Sequence, residues 1–169
     1  QSFLGTFVVS AAGVISSSRI AHFCVGGDQY ERIESLDGQA RRVFRHNDTV
    51  YTFWPEARAV LIERRSQIAT FPALLQAGET RIDGFYDLQV PGSDRVAGRE
   101  AVLLQLTPRD KLRFGLRLCA DRATGLLLRV EMLGEQGEVL ESSAFSDVTI
   151  GVKPRPDSVL QPMKHVDGY

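Results

Sequence analysis

The chain has 169 residues and a formal net charge of -1, from 20 Lys and Arg residues against 21 Asp and Glu residues. This length fits one domain with its own core. The balanced charge argues against nonspecific nucleic-acid binding, which needs an excess of positive charge on one face. No apolar run reaches the length of a membrane-spanning helix. No signal-peptide pattern is visible, and this indicates nothing about the compartment.

Residues 1–64 contain short strand-like runs separated by turn signals. The run SRIAHFCV, residues 18–25, alternates apolar and polar side chains, and Asp37-Gly38 is a strong hairpin signal. Pro55 ends another strand because it has no N–H for a ladder hydrogen bond. Residues 11–17, AAGVISS, are predicted as a turn region. Strands spaced this regularly predict an antiparallel meander.

The later part of the chain contains one less regular segment between further strands. Residues 66–79, SQIATFPALLQAGE, alternate weakly, and Pro72 suits the first turn of a short helix or a lid-like loop. The sheet resumes with FYDLQV, EAVLLQLTP and LRFGLRLCA. The clearest hairpin runs from Asp121 to Ser142, with Asp121 and Gly125 around its first turn. The tail is predicted to contain a short helix near Asp157 to Leu160.

Two of the predicted strands, TVYTFW and AVLI, are apolar on both faces. A sheet with such strands must be covered on both sides. The sequence therefore predicts a mainly β (α+β) fold, a strongly curved antiparallel sheet or incomplete barrel. The interior of such a barrel can hold an apolar ligand, and its open edges can add a strand from another chain.

No motif for catalysis or for a cofactor stands out. A G-x-S-x-G elbow, a G-x-G-x-x-G loop and a P-loop are absent from the sequence. The three histidines are scattered and the two cysteines have no metal-type spacing. We therefore expect no catalytic residues, no metal and no cofactor. His22 is interpreted as a hydrogen-bonded structural residue without an acid–base partner, and Trp54 as a core residue or a pocket wall.

Two features leave alternatives open. Cys24 and Cys119 are either two buried thiols or one long-range disulfide. The basic residues form three clusters, which are either solvated faces or a patch for an acidic partner or lipid phosphates. These clusters are Arg41, Arg42 and Arg45; Arg64 and Arg65; and Arg109, Lys111, Arg113 and Arg117.

An ordered set of segments carries a family resemblance. The segments are ESLDGQARRV, FPALL, FYDL, RVAG followed by a strand, RDKLRFGLRLCAD and TGLLLRVEMLGEQGEVLE. In this order and spacing the chain resembles the amino-terminal domain of the RseB/MucB family. The resemblance implies a LolA-like unclosed half-barrel over residues 1–152, with a short helix or lid on its concave side. It also implies a domain end or interdomain linker at 153–169, with a second domain absent from this chain.

The resemblance implies a function in the periplasm. Family members regulate the envelope-stress sigma factor by binding the periplasmic part of a membrane-bound anti-sigma factor and shielding it from proteolysis. Lipopolysaccharide or mislocalised lipoprotein is expected to release them. A LolA-like carrier of lipoprotein or lipid is the alternative. Because a helix usual in the family, just before SFLGTF, is missing from the sequence, a homodimer is also considered.

The candidate site residues follow from apolar and basic clustering within this framework. The lipid-facing wall is predicted to contain Trp54, Phe71, Leu74, Leu75, Phe85 and Tyr86. The residues predicted to meet phosphates or an acidic peptide are Arg64, Arg65, Arg109, Lys111 and Arg113. Cysteines are unusual for the family at positions 24 and 119, which in a periplasmic protein favours a Cys24–Cys119 disulfide.

Overall fold

The computed structural model describes residues 1–64 and 86–169. Eleven strands and one helix make up these residues. The strands are β1 Phe3–Ala11, β2 Val14–Val25, β3 Asp28–Ser35, β4 Arg42–His46, β5 Thr49–Trp54, β6 Ala59–Arg64, β7 Tyr86–Val96, β8 Arg99–Pro108, β9 Gly115–Asp121, β10 Leu127–Leu133 and β11 Val139–Ile150. The helix, α1, is Asp157–Lys164.

The strands form one antiparallel sheet in the order β6-β5-β4-β3-β2-β1-β11-β10-β9-β8-β7. Within the described residues β6 and β7 are the two edge strands, so the sheet is unclosed. This confirms the predicted fold class, which is mainly β with one short helix. The lid predicted at residues 66–79 lies outside the described residues, and the domain boundary at residue 152 stays a prediction.

The predicted turn region at residues 11–17 is wrong in its extent. The turn consists of Ala12 and Gly13 alone, and β2 already begins at Val14. Both turn residues are left-handed, with φ of 52° at Ala12 and 79° at Gly13, as a two-residue hairpin turn requires. The sequence has Ala-Gly here in place of the usual Asn-Gly or Asp-Gly pair. Because alanine rarely takes a left-handed conformation, this pair is a weak signal for so short a turn.

The chain divides into two compact units. The described residues of the first are 1–7, 16–64 and 147–169, and those of the second are 8–15 and 86–146. The core of the first unit combines side chains from β2 to β5 with one from the helix. Its buried members are Ala21, Phe23, Tyr30, Phe44, Phe53 and Val159. Phe44 and Phe53 meet edge to face, with ring centroids 5.7 Å apart, a geometry that adds to their burial.

The helix α1 is too short to be stable by itself, so packing must hold it in place. It follows Pro156, whose missing N–H costs nothing at a helix start, and Asp157 lies in its positive first turn. Val159 is completely buried against the core of the first unit. The short helix predicted near residues 157–160 is therefore present, and it extends to Lys164.

We expect Val159→Ala to lower the free energy of unfolding by about 2 kcal/mol, since it removes two buried carbons and leaves a cavity. Val139→Ala is the matched control, because Val139 is exposed on β11. Its effect should stay within about 0.5 kcal/mol. Urea unfolding of both variants measures the difference. Equal free energies of unfolding for the two variants would contradict a stabilising role for the contact between Val159 and the core.

The core of the second unit is a row of apolar residues across three strands. Leu118 of β9 lies opposite Leu104 of β8 and opposite Val130 of β10. Leu106, Leu118 and Val130 are buried together. The period of two along each strand places these residues on one face, as the alternation in the sequence predicts. Leu106 of this core also lines a cavity of the second unit.

Candidate functional site

A cavity of about 590 Å³ lies in the second unit, beside the loop that joins β8 to β9. The β10–β11 turn forms another part of its wall. Its lining residues are Gln105, Leu106, Thr107, Pro108, Asp110, Lys111, Leu112, Arg113, Phe114, Gly115, Leu133, Gly134, Glu135 and Gly137. This volume is within the range of small-molecule sites in proteins.

The β8–β9 loop is built by local turn chemistry. The Asp110 Oδ1 atom accepts a hydrogen bond of 3.0 Å from the Leu112 N–H, as in an Asx turn. Arg113 pairs with the Asp110 carboxylate across the same turn. The strand predicted from residue 112 therefore begins only at Gly115, and this part of the prediction is wrong. Residues 112–114 belong to the cavity wall instead.

Two large apolar side chains of this loop are exposed to solvent. Leu112 is 89% exposed and Phe114 is 53% exposed. The Tyr86 hydroxyl donates a hydrogen bond of 3.0 Å to the Phe114 carbonyl oxygen and so ties the loop to β7. Exposed apolar groups beside a cavity are typical of ligand or partner sites.

Charged side chains alternate with these apolar ones along the loop. Lys111 and Arg113 flank Leu112 and line the same cavity. A site with apolar and cationic groups at this spacing can hold a molecule that has both an apolar part and an anionic part. Glu135 also lines the cavity, and its carboxylate would repel an anionic group placed next to it.

The structure places two of the six predicted lipid-facing residues. Tyr86 begins β7, packs on the core of the second unit and contacts the β8–β9 loop. Trp54 ends β5 in the first unit, opposite Ala59, and is partly buried. Phe71, Leu74, Leu75 and Phe85 lie outside the described residues. The lipid-facing role of all six residues stays a prediction.

The predicted basic residues separate into different surroundings. Lys111 and Arg113 line the cavity, whereas the Arg109 Nε atom pairs with Asp87 Oδ1 at 2.9 Å, with both side chains exposed. Arg64 is exposed at the end of β6, opposite Thr49. Arg65 lies outside the described residues. Of the five, the structure brings Lys111 and Arg113 together with the cavity.

Both cysteines are free thiols in the structure, which differs from the disulfide that the resemblance implied. They belong to different units, and each contacts a neighbour of its own. The Cys24 Sγ atom is 3.4 Å from His22 Nε2, and the Cys119 Sγ atom accepts a hydrogen bond of 3.2 Å from Arg129 Nη2. Burial raises the pKa of the Cys119 thiol, which keeps it protonated and unreactive.

Sequence reasoning missed Leu112 and Phe114 as cavity residues. Their alternation with Lys111 and Arg113 resembles the alternation of a strand, and this similarity hid the loop. Pro108 followed closely by Asp110 was the available turn signal. Within the described ranges, no group of three or more His, Cys, Asp or Glu side chains could hold a metal ion. In the same ranges, no helix is long and apolar enough to cross a membrane.

Comparison with known proteins identifies relatives of the chain. It is 34% identical over 160 residues to the sigma factor AlgU regulatory protein MucB of Pseudomonas aeruginosa, covering 94% of this chain and 49% of that protein. It is 30% identical over 149 residues to the sigma-E factor regulatory protein RseB of Haemophilus influenzae, covering 88% of this chain and 47% of that protein. The chain thus spans about half the length of these relatives.

A solved structure agrees with this relationship. The Pseudomonas aeruginosa MucA/MucB complex contains a chain that matches at a TM-score of 0.75 and 33% identity, over 94% of this chain and 54% of that one. The family model for the MucB/RseB N-terminal domain matches residues 1–163. The match extends over β1 to β11 and nearly all of α1. The chain therefore belongs to the MucB/RseB family and corresponds to its N-terminal domain.

Proposed function

We propose that this domain is part of a periplasmic negative regulator of an envelope-stress sigma factor. In this role it binds the periplasmic part of a membrane-bound anti-sigma factor. The observation that carries the proposal is family membership over residues 1–163. Two relatives are named as sigma factor regulatory proteins, and one of them is solved as a complex with MucA.

The proposed consequence of binding is protection. A segment of the anti-sigma factor held against this domain is withheld from the protease that would cleave it. Release requires a second ligand with different affinities for the free and the partner-bound states of the regulator. We propose that an amphiphile, either lipopolysaccharide or the acyl chains of a mislocalised lipoprotein, is this ligand.

The cavity of the second unit supports the amphiphile part of the proposal. Exposed Leu112 and Phe114 offer apolar surface for acyl chains, and Lys111 offers a cation for phosphates, whereas Arg113 already pairs with Asp110. Filling the cavity would cover apolar surface that now faces water, which is favourable by about 25 cal/mol per Å². The lipid-facing role of Trp54, Phe71, Leu74, Leu75 and Phe85 stays a prediction of its own.

The direct experiment is fluorescence anisotropy of a labelled periplasmic anti-sigma segment titrated with the domain, with and without lipopolysaccharide. Binding that lipopolysaccharide reverses would support a stress sensor with both sites on this domain. Unchanged binding in its presence would contradict the sensing role. A neutral detergent as the competitor separates the contribution of the acyl chains from that of the phosphates.

We expect Lys111→Glu to weaken lipopolysaccharide binding about tenfold, because it replaces a cation that faces phosphate by an anion. Arg58→Glu makes the same charge change in an exposed turn of the first unit and is the matched control. Calorimetric titration of the domain with lipopolysaccharide measures both. An equal loss in the two variants would show that net charge matters and that the position does not.

The alternative function is that of a lipid carrier, which the exposed apolar side chains beside the cavity also favour. A carrier retains acyl chains and has no affinity for the anti-sigma segment. Retained lipid in the purified domain, together with no anisotropy change in the titration, would favour the carrier. Repeating the titration with a full-length relative, of which this chain spans about half, tests whether the partner site needs the rest of the protein.

A further inference from the structure

A thiol, an imidazole and a carboxylate lie in line on the first unit. The Cys24 Sγ atom is 3.4 Å from His22 Nε2, and His22 Nδ1 is 2.9 Å from Glu31 Oε2. The expectation that His22 lacks an acid–base partner is therefore wrong. Nothing in the proposed regulatory function uses these three side chains, and they lie in a different unit from the cavity.

The strand pairing explains why these residues meet. His22 and Cys24 are two residues apart on β2, so their side chains point to the same face. Glu31 of β3 lies directly opposite His22, and Arg45 of β4 lies directly opposite Glu31. A row of three side chains thus crosses three strands. The sequence alone did not predict this row, because its members come from separate strands whose register the sequence does not specify.

His22 and Glu31 are held in place by burial and by their neighbours. The side chains of His22 and Glu31 are only 15% and 5% exposed. The Arg45 Nη2 atom lies 3.5 Å from the same Glu31 oxygen that contacts His22, and this contact holds the carboxylate in place. The Phe3 ring stacks on the imidazole, with centroids 5.2 Å apart and planes at 19°. This packing fixes the orientation of the imidazole ring.

The contacts select one tautomer of His22. The Glu31 carboxylate can only accept a hydrogen bond, so the proton of a neutral imidazole lies on Nδ1. The Nε2 atom is then the unprotonated nitrogen, and it faces the Cys24 thiol. A nucleophile next to a base that a third group orients is the arrangement that activates cysteine for covalent chemistry. Cys24 is partly exposed, so a small reagent can reach it.

We propose that Cys24 is a reactive modification site that undergoes exchange with small-molecule disulfides, with His22 as its base and Glu31 as the positioning residue. His22 Nε2 takes the thiol proton, and the Cys24 thiolate attacks one sulfur of the disulfide. A new bond forms between Cys24 and that sulfur while the original sulfur–sulfur bond breaks. The leaving sulfur takes the electron pair and then the proton from His22, so Cys24 is oxidised and one thiol is released.

The backbone of Gln1 also contacts this thiol. Its nitrogen lies 3.1 Å and its carbonyl oxygen 3.8 Å from the Cys24 Sγ atom. The test therefore compares variants that all keep Gln1 in place.

The test is the rate of mixed-disulfide formation with glutathione disulfide, followed by mass spectrometry at about pH 7. We expect Cys24 to react at least about tenfold faster in the original chain than in His22→Gln, and faster than in Glu31→Gln. Cys119 is fully buried and serves as the internal control, since it should stay unmodified in the folded protein.

Two results would overturn the proposal. Equal Cys24 rates in the original chain and in His22→Gln would show that the histidine is structural only. Because Glu31 is buried, circular dichroism must first show that both variants are folded. The pH dependence of the Cys24 rate in the original chain provides a check without substitution, since a rate that follows that of free cysteine would also contradict activation.

Discussion

We expect Asp121→Ala to lower the free energy of unfolding by about 3 kcal/mol, because it removes a buried charge with several partners. The Asp121 side chain is only 2% exposed and ends β9. Its oxygens accept hydrogen bonds from Arg99 at 2.8 and 3.2 Å. They also accept hydrogen bonds from the Thr124 N–H and hydroxyl at 3.0 and 2.7 Å. This carboxylate therefore joins β8, β9 and the turn that begins the β9–β10 hairpin.

The stabilisation by Asp121 should depend on pH. The Arg99 guanidinium, with help from Thr124, holds the pKa of Asp121 below its usual range. A carboxyl group whose pKa is lower in the folded state stabilises the fold fully above its unfolded pKa of about 3.9. This contribution is lost as the pH falls through the lower folded pKa. The stability difference between the original chain and Asp121→Ala should therefore narrow below about pH 4.

Matched variants separate this network from ordinary surface charge. Thr124→Ala removes the hydroxyl hydrogen bond, one of the four to Asp121, keeps the bond from the backbone N–H, and should cost about 1 kcal/mol. Arg122→Ala removes a 3.7 Å pair with Glu100 in which both side chains are exposed, and it should change stability little. Urea unfolding at neutral and acidic pH measures all three variants. A pH-independent loss in Asp121→Ala would contradict the role of the charge.

The sequence predicted the hairpins whose turn residues are distinctive. Asp121 and Gly125 mark a turn that the structure closes with a 2.8 Å hydrogen bond from the Gly125 N–H to the Asp121 carbonyl oxygen. Ala12 and Ala97 gave no such signal, although each has a left-handed φ and precedes a left-handed glycine. Alanine pays a steric cost there that only the surrounding sheet can offset. The sequence therefore located the turn at Ala12 only within the broader region 11–17.

The candidate site was harder to predict than the strands. Lys111 and Arg113 were predicted as binding residues from charge clustering, and they line the cavity. Leu112 and Phe114 were assigned to a strand, since a period of two cannot distinguish a half-buried strand from an exposed loop with alternating residues. The pairing of His22 with Glu31 depends on strand register, which the composition of neither strand fixes.

We expect the apolar side chains of the β8–β9 loop to dominate the binding of an amphiphile. Replacing both Leu112 and Phe114 with serine should weaken binding of an acyl-chain amphiphile by roughly a hundredfold. Each large apolar side chain that a ligand covers contributes about 1.5–3 kcal/mol, and each 1.4 kcal/mol is a factor of about ten. Because both side chains are exposed, the fold should keep its stability to within about 0.5 kcal/mol for each substitution.

Val14→Ser with Ile15→Ser is the matched control for this double variant. These two apolar residues are each 68% exposed and belong to the second unit, but they lie outside the cavity lining. Titration with a phosphate-free detergent and with lipopolysaccharide measures each variant. If the loop holds acyl chains, the loop variant loses affinity for both ligands while the control keeps it. If only lipopolysaccharide binding falls, the loop acts on the headgroup, and the acyl chains must be held elsewhere. An equal loss in the control would mean that exposed apolar area in general, and not this cavity, attracts the amphiphile.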